Sequence, residues 1–248
     1  MKNIEAIFKK YQNELTTINT ELTTLPDGYL NKRGKVYYQV VDKKEIGITK
    51  DVKLIRQLAR KKYIFARKKE LENNIKMFSN PKNTLIERAP KTIIDSLSRT
   101  YQAVPFEFFF HSQVSDWVAA PFKQNPYLPE QRKYLSNGGV KLRSKSEVLI
   151  ANQLEAYNIP FRYDAEQKLR GRTIYPDFII RNPFTGDFII WEHFGALHKE
   201  DYEQKMNQKM RDYLKLGYTP LVNIIYTFEA DVESPKRIKQ LIEDVILK

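Results

Sequence analysis

A carboxylate set among strand-forming apolar residues is the most restrictive feature of this chain, because burying it requires a cation, a hydrogen-bond donor or a metal beside it. The chain does this twice in quick succession. Asp177 follows Thr173-Ile174-Tyr175-Pro176 and precedes Phe178-Ile179-Ile180, so it stands in the middle of a run of strand length. The turn signal Asn182-Pro183-Phe184-Thr185-Gly186-Asp187 then leads into Phe188-Ile189-Ile190-Trp191-Glu192-His193-Phe194, which Gly195 closes. A hairpin over this stretch brings the acidic end of the second strand beside Asp177. Period-two alternation puts Phe188, Ile190 and Glu192 on one face and Ile189, Trp191 and His193 on the other, so His193 is expected to point away from Glu192.

A third acid lies upstream. Ser144 reads as the cap of a helix running to about Tyr157, whose apolar stripe of Ile150, Ala151 and Leu154 also carries Glu147. Taken alone, Glu147 completes a capping box, Asp177 forms a turn and Glu192 is an ion-paired edge residue. Taken together, a helical acid followed by two strand acids with aromatic flanks is the order that a metal-dependent nuclease core needs. From about Lys199 to Leu216, Tyr202, Met206, Lys209 and Tyr213 recur at spacings of four, three and four, and Gly217 supplies a stop. Lys209 therefore sits on an apolar face, where a lysine ordinarily snorkels; Lys205 lies one turn earlier. The apolar run from Pro220 to Phe228 and a last helix opened by Ser234-Pro235 complete the order helix, three strands, helix, strand, helix. The fold class that follows is α/β, a mixed sheet flanked by helices.

Arg143-Ser144-Lys145-Ser146-Glu147, Tyr175-Pro176-Asp177 and Trp191-Glu192-His193-Phe194-Gly195 resemble the active-site segments of the PD-(D/E)XK nuclease superfamily, over roughly residues 140 to 228. The resemblance implies a restriction-endonuclease-like core in which Asp177 and Glu192 bind Mg²⁺, with Mn²⁺ as a substitute, and Glu147 completes the shell directly or through water. The chain departs from the family pattern at Phe194, where a strand lysine would stand. It is similar there to branches whose strand ends in Trp-Glu-His-hydrophobic-Gly and whose lysine has moved to the following helix, which implies Lys209 in that role and Lys205 as second choice. The implied activity is a Mg²⁺-dependent endonuclease acting on DNA. The alternative is a nucleic-acid-binding protein that keeps the nuclease fold without catalysis.

Charge bears on the partner. The chain of 248 residues has a formal net charge of +12, and residues 31 to 70 hold fourteen Lys and Arg against four acids. Most of the excess in one block points to a polyanion. Lys32, Arg33, Lys35, Arg56, Arg60, Lys61, Lys62, Arg67, Lys68 and Lys69 are expected to grip a nucleic-acid backbone without reading sequence. Tyr29, Tyr37, Tyr38 and Tyr63 interleave them and either stack on bases or pack in a core. There is no cysteine, which excludes disulfides and thiolate zinc sites, and His111, His193 and His198 form no zinc pattern. Without a membrane-spanning apolar run or a signal-peptide hydrophobic region, a cytoplasmic protein with no membrane partner is expected. No Gly-rich phosphate loop argues for ATP-driven activity.

Ile4, Phe8, Tyr11, Leu15, Ile18 and Leu22 alternate spacings of four and three, a coiled-coil-like seam that needs another helix. Pro26-Asp27-Gly28 ends it, Val36 to Val41 and Glu45 to Ile48 read as a small hairpin, and Asp51 to about Phe78 as a long basic helix. The two helices pair antiparallel within the chain or form a homodimer. The expected organisation is a basic helical and hairpin module at 1–80, an aromatic and Pro-containing connector at 81–140, and the nuclease-like domain at 141–248.

Overall fold

The computed structural model describes residues 2–78, 87–169, 171–195 and 200–247. His198, Lys199 at the expected start of the second helix, Pro81 and the side chain of Ile4 lie outside the described residues. Two compact units emerge, Met1–His111 and Ser112–Leu247. The stretch expected as a connector is thus divided between the two units, with Tyr101, Phe109 and Phe110 buried in the first.

In the first unit, α1 (Lys2–Leu22) runs antiparallel to the long α2 (Val52–Met77). The pairing is read from its contacts: Phe8 packs edge-on to Phe78 at 5.0 Å, Glu14 meets Arg67 and Glu21 meets Arg60. Tyr11 and Ile18, from the expected seam, are buried. The seam finds its partner helix within the chain. Asp51 caps α2, accepting a hydrogen bond from the Leu54 amide at 2.9 Å. Between the helices lies an antiparallel sheet of β1 (Tyr29–Arg33), β2 (Val36–Val41) and β3 (Lys44–Gly47), in that order. The expected hairpin is β2–β3; β1 was not expected as a strand, because its Asn31, Lys32 and Arg33 lack an apolar pattern. What holds it is the β2 ladder and a buried Leu30, whose amide donates to the Tyr101 hydroxyl at 3.0 Å. The short helices α3 (Pro90–Asp95) and α4 (Arg99–Gln102) complete the unit.

The second unit begins with α5 (Ser112–Ala119) and a two-stranded ribbon of β4 (Tyr134–Leu135) and β5 (Lys141–Leu142). Then come α6 (Lys145–Ala156), β6 (Phe161–Tyr163), a hairpin of β7 (Gln167–Leu169) and β8 (Arg172–Ile174), β9 (Phe178–Arg181) and β10 (Phe188–Phe194). The chain finishes with α7 (Glu200–Lys215), β11 (Ile224–Phe228), α8 (Glu229–Val232), α9 (Pro235–Leu241) and a π-helical turn at Ile242–Ile246. The main sheet has the order β11-β10-β9-β6 and is mixed: β9 pairs antiparallel with β6 and β10, while β10 and β11 are parallel, with α7 as the connection between them. One face packs Ile180, Ile189, Trp191 and Ile225 against Ile150 and Leu154 of α6 and Ile238 and Leu241 of α9. The other packs Ile190 and Ile224 against Tyr213 and Tyr218, at and just beyond the end of α7. The architecture is mixed α/β, and among the described residues no helix is long and apolar enough to cross a membrane.

One expectation is corrected. Asp177 does not sit in the middle of a strand; the apolar run breaks at Tyr175–Pro176, with β8 before it and β9 after it. Proline has no amide to give to a ladder and restricts the residue before it, so the chain turns there and delivers Asp177 at the mouth of β9.

Candidate active site

The hairpin turn fixes the register that brings two acids together. Asn182 Oδ1 accepts from the amides of Phe184 and Thr185 at 2.8 and 3.0 Å, and Gly186 takes the left-handed φ of 76° that the turn requires. Trp191 then lies opposite Phe178, so Asp177 and Glu192 follow on the same sheet face. The Asp177 carboxylate is fixed by the neighbouring strand, its Oδ2 accepting from the His193 amide at 2.7 Å.

Glu192 is wholly buried. Lys209 of α7 donates to its Oε2 at 2.7 Å, and the Tyr213 hydroxyl, one turn further along the same helix, donates to Oε1. Burial, reinforced by the charge of Asp177, pushes the Glu192 carboxyl up to about 8, against the pull of Lys209. For Lys209, burial opposes the charge, but Glu192 and Asp177 outweigh it and hold the ammonium up at about 12. Near neutral pH the lysine therefore keeps its proton, and the carboxyl is the group that titrates. Burial and the adjacent Glu192 push the Tyr213 phenol up as well, which keeps it a donor. Lys205, one turn earlier, is exposed.

Glu147 does what its local sequence predicts. The Ser144 hydroxyl accepts from the Glu147 amide at 3.1 Å while Glu147 Oε2 accepts from the Ser144 amide at 2.8 Å, a reciprocal capping box. The same Oε2 also accepts from the Arg143 amide at 2.9 Å and the Tyr163 hydroxyl at 3.0 Å. Burial and the charge of Asp177 raise its pKa, so it belongs to the same electrostatic cluster. His193 faces away from Glu192 as expected, with Nδ1 3.2 Å from Thr227 Oγ1 and Nε2 3.3 Å from Glu229 Oε1. Sequence reasoning missed two site residues, Tyr213 and Tyr163. Tyr213 was visible as the residue four places after Lys209 on the same face; nothing local pointed to Tyr163.

Among the described residues, no group of three or more carboxylate, histidine or cysteine side chains forms a metal-ligand cluster. The donor set that suits a hard cation is the pair Asp177 and Glu192, with one ammonium to balance carboxylates that raise each other's energy. Mg²⁺ asks for no more, since it commonly takes one or two carboxylates and keeps water or phosphate oxygens for the rest. Glu147 Oε2, by contrast, is committed to its cap.

The expected nucleic-acid contacts in the first unit separate into two kinds. Lys35, Lys62 and Lys69 are exposed, Lys62 lying over the Tyr101 ring at 5.8 Å, as is Arg33, which also pairs with Glu45 at 2.8 Å. Lys32 and Arg56 lie over the rings of Tyr37 and Phe108, Lys61 donates to the Pro26 carbonyl at 2.7 Å and Lys68 to Asn19 at 2.7 Å. Arg60 and Arg67 are buried, against expectation: Arg60 makes a two-pronged contact with Glu21, and Arg67 bridges Glu14 and Glu70. Their acids come largely from α1, outside the basic block, so these two guanidinium groups hold helices together.

No family model matches the chain. It is similar to Uncharacterized protein MJ1519 of Methanocaldococcus jannaschii, 28% identical over 90 residues that make up 36% of this chain and 7% of that protein. The chain thus aligns with only a small part of that relative's length. No solved structure matches.

Proposed function

We propose that this chain is a Mg²⁺-dependent nuclease that hydrolyses phosphodiester bonds in DNA, with a restriction-endonuclease-like core in its second unit. The observation that carries the reading is Lys209 at 2.7 Å from the buried Glu192. The strand lacks the lysine of the family pattern, and a lysine from the following helix stands at the acid where that charge is needed. The element order supports it too: a helix, three antiparallel main-sheet strands, a connecting helix and a parallel fourth strand.

Asp177 and Glu192 would hold the ion, which when bound supplies a lowered water pKa and neutralises charge on the phosphate. The chain's own groups do the remaining work. Lys209 shifts from Glu192 toward a non-bridging phosphate oxygen or the attacking water, Tyr213 keeps Glu192 oriented, and the His193 amide fixes Asp177. Exposed basic residues of the first unit, including Lys35, Lys62 and Lys69, would add backbone contacts. Both Glu192 oxygens already have protein partners, which favours the second reading, a catalytically silent nucleic-acid-binding protein. Nicking of supercoiled plasmid with and without Mg²⁺ separates the two. Asp177→Asn should abolish nicking while leaving DNA binding intact; cutting at the wild-type rate by that variant would remove Asp177 from the site.

A further inference from the structure

Between the β7–β8 hairpin and α7 lies a groove of about 490 Å³, lined by Thr173, Tyr175, Lys205, Gln208, Lys209 and Tyr213 among others. A second depression of about 550 Å³ over the outer side of α7 shares Lys205 and Gln208 with it and adds Arg211. Lys209 and Tyr213 are the two partners of Glu192, so the groove ends at the buried acid. Its other residues have no part in the chemistry proposed above. Lys205 is exposed, and Tyr175 stands on the opposite wall, its hydroxyl donating to Glu166 at 3.4 Å. Asp212 also lines the groove and accepts from Gln208 at 3.0 Å, while Lys205 adds a cation to the same lining as Tyr175.

A cation and an aromatic ring on facing walls are the two elements that a single nucleic-acid strand uses, one for its phosphate and one for its base. A groove of this volume is on the scale of a small-molecule pocket, far below the footprint of a duplex. We propose that it binds the single DNA strand flanking the scissile phosphate, with one base stacked on Tyr175 and the adjoining phosphate against Lys205. The preferred substrate is then a flap, gap or frayed end, and continuous duplex is a poor one. The position beside a scissile phosphate rests on the nuclease reading; the single-strand binding does not.

The test is fluorescence anisotropy of the full chain with a labelled oligo-dT strand and with a duplex of equal length, both in EDTA so that no cleavage intervenes. Tyr175→Ala should weaken binding of the single strand by about fivefold or more, the low end of what base stacking contributes, and Tyr175→Phe should bind as wild type. Lys205→Ala should lower the slope of log affinity against log salt by about 0.7, one phosphate contact on a single strand. Duplex binding should not respond to either substitution. Wild-type affinity in both variants, an equal loss on duplex, or preference for oligo-U over oligo-dT would overturn the proposal. If Tyr175→Ala proves unfolded by circular dichroism, the exposed Lys205 decides alone. Plasmid nicking by wild type together with wild-type single-strand binding in both groove variants would uphold the nuclease and sink the groove, whereas weakened single-strand binding in the variants of a protein that never nicks would do the reverse.

Discussion

Replacing Glu192 by Gln should abolish cleavage and yet raise the melting temperature of the metal-free protein at neutral pH. The carboxyl is wholly buried and its pKa stands at about 8, against 4.5 for the ordinary side chain. At pH 7 the unfolded chain has released this proton and the folded chain has kept most of it. That difference of 2.5 pH units corresponds to about 3 kcal/mol of lost stability. Because the folded-state pKa is raised, this contribution is harmless below about pH 4.5 and grows as pH rises toward 8. Glutamine removes the titration, but its amide nitrogen cannot accept, so Lys209 or Tyr213 loses its partner, an offset of about 1–2 kcal/mol. The net gain should be about 1–2 kcal/mol, or about 3–6 °C in a chain of this size. Differential scanning calorimetry from pH 4.5 to 8.5 in EDTA measures it. Wild type should lose stability across that window and Glu192→Gln should lose less; added Mg²⁺ should restore wild type alone. A variant that melts below wild type at every pH, with the same slope, would show that Glu192 is ionised and held by Lys209, and the reasoning would fail.

Lys209→Ala should slow single-turnover cleavage by more than about tenfold, roughly 1.4 kcal/mol of transition-state stabilisation, with DNA affinity little changed. Lys205→Ala should have a much smaller effect on that rate, and a reversed ranking would mean that α7 presents a different lysine to the acids. In the first unit, Arg67→Ala should destabilise by about 3 kcal/mol, since Glu14 loses its two-pronged partner and the buried Glu70 is left with Arg88 alone. Lys62→Ala and Lys69→Ala should instead leave thermal melts within about 0.5 kcal/mol of wild type and flatten the salt dependence of duplex binding.

Features with a local physical signature were legible in the sequence. The Ser144 cap, the Asn182 to Asp187 turn and the two faces of β10 each depend on residues within one turn or one strand period, and each stands where periodicity put it. Features that depend on distant partners were not. The charge count over residues 31 to 70 treated Arg60 and Arg67 like their neighbours, because the acids that bury them, Glu21 and Glu14, lie 39 and 53 residues away. The β7–β8 hairpin escaped notice for a related reason. Its strands of three residues each carry too little pattern, and the apolar run through Asp177 read as continuous because periodicity does not register the lost amide of Pro176.

The displaced lysine shows how the two kinds of feature combine. Position 194 shares the sheet face of Glu192, so a lysine there could reach the site, but Phe194 is instead buried, stacked on Tyr226 at 5.8 Å and beside Phe228 at 5.9 Å. The parallel pairing of β10 with β11 creates that aromatic cluster, since it sets Phe194 opposite Phe228. With this position given to packing, a cation for Glu192 has to come from the element that covers the same face, and the connection between parallel strands supplies it as α7. A helix offers two groups one turn apart, and Lys209 and Tyr213 use that spacing to take one carboxylate oxygen each. The geometry of the acid then depends on how α7 docks, through Tyr213 against Tyr218 and Ile190, so apolar substitutions there should alter the site as surely as changes to its charges.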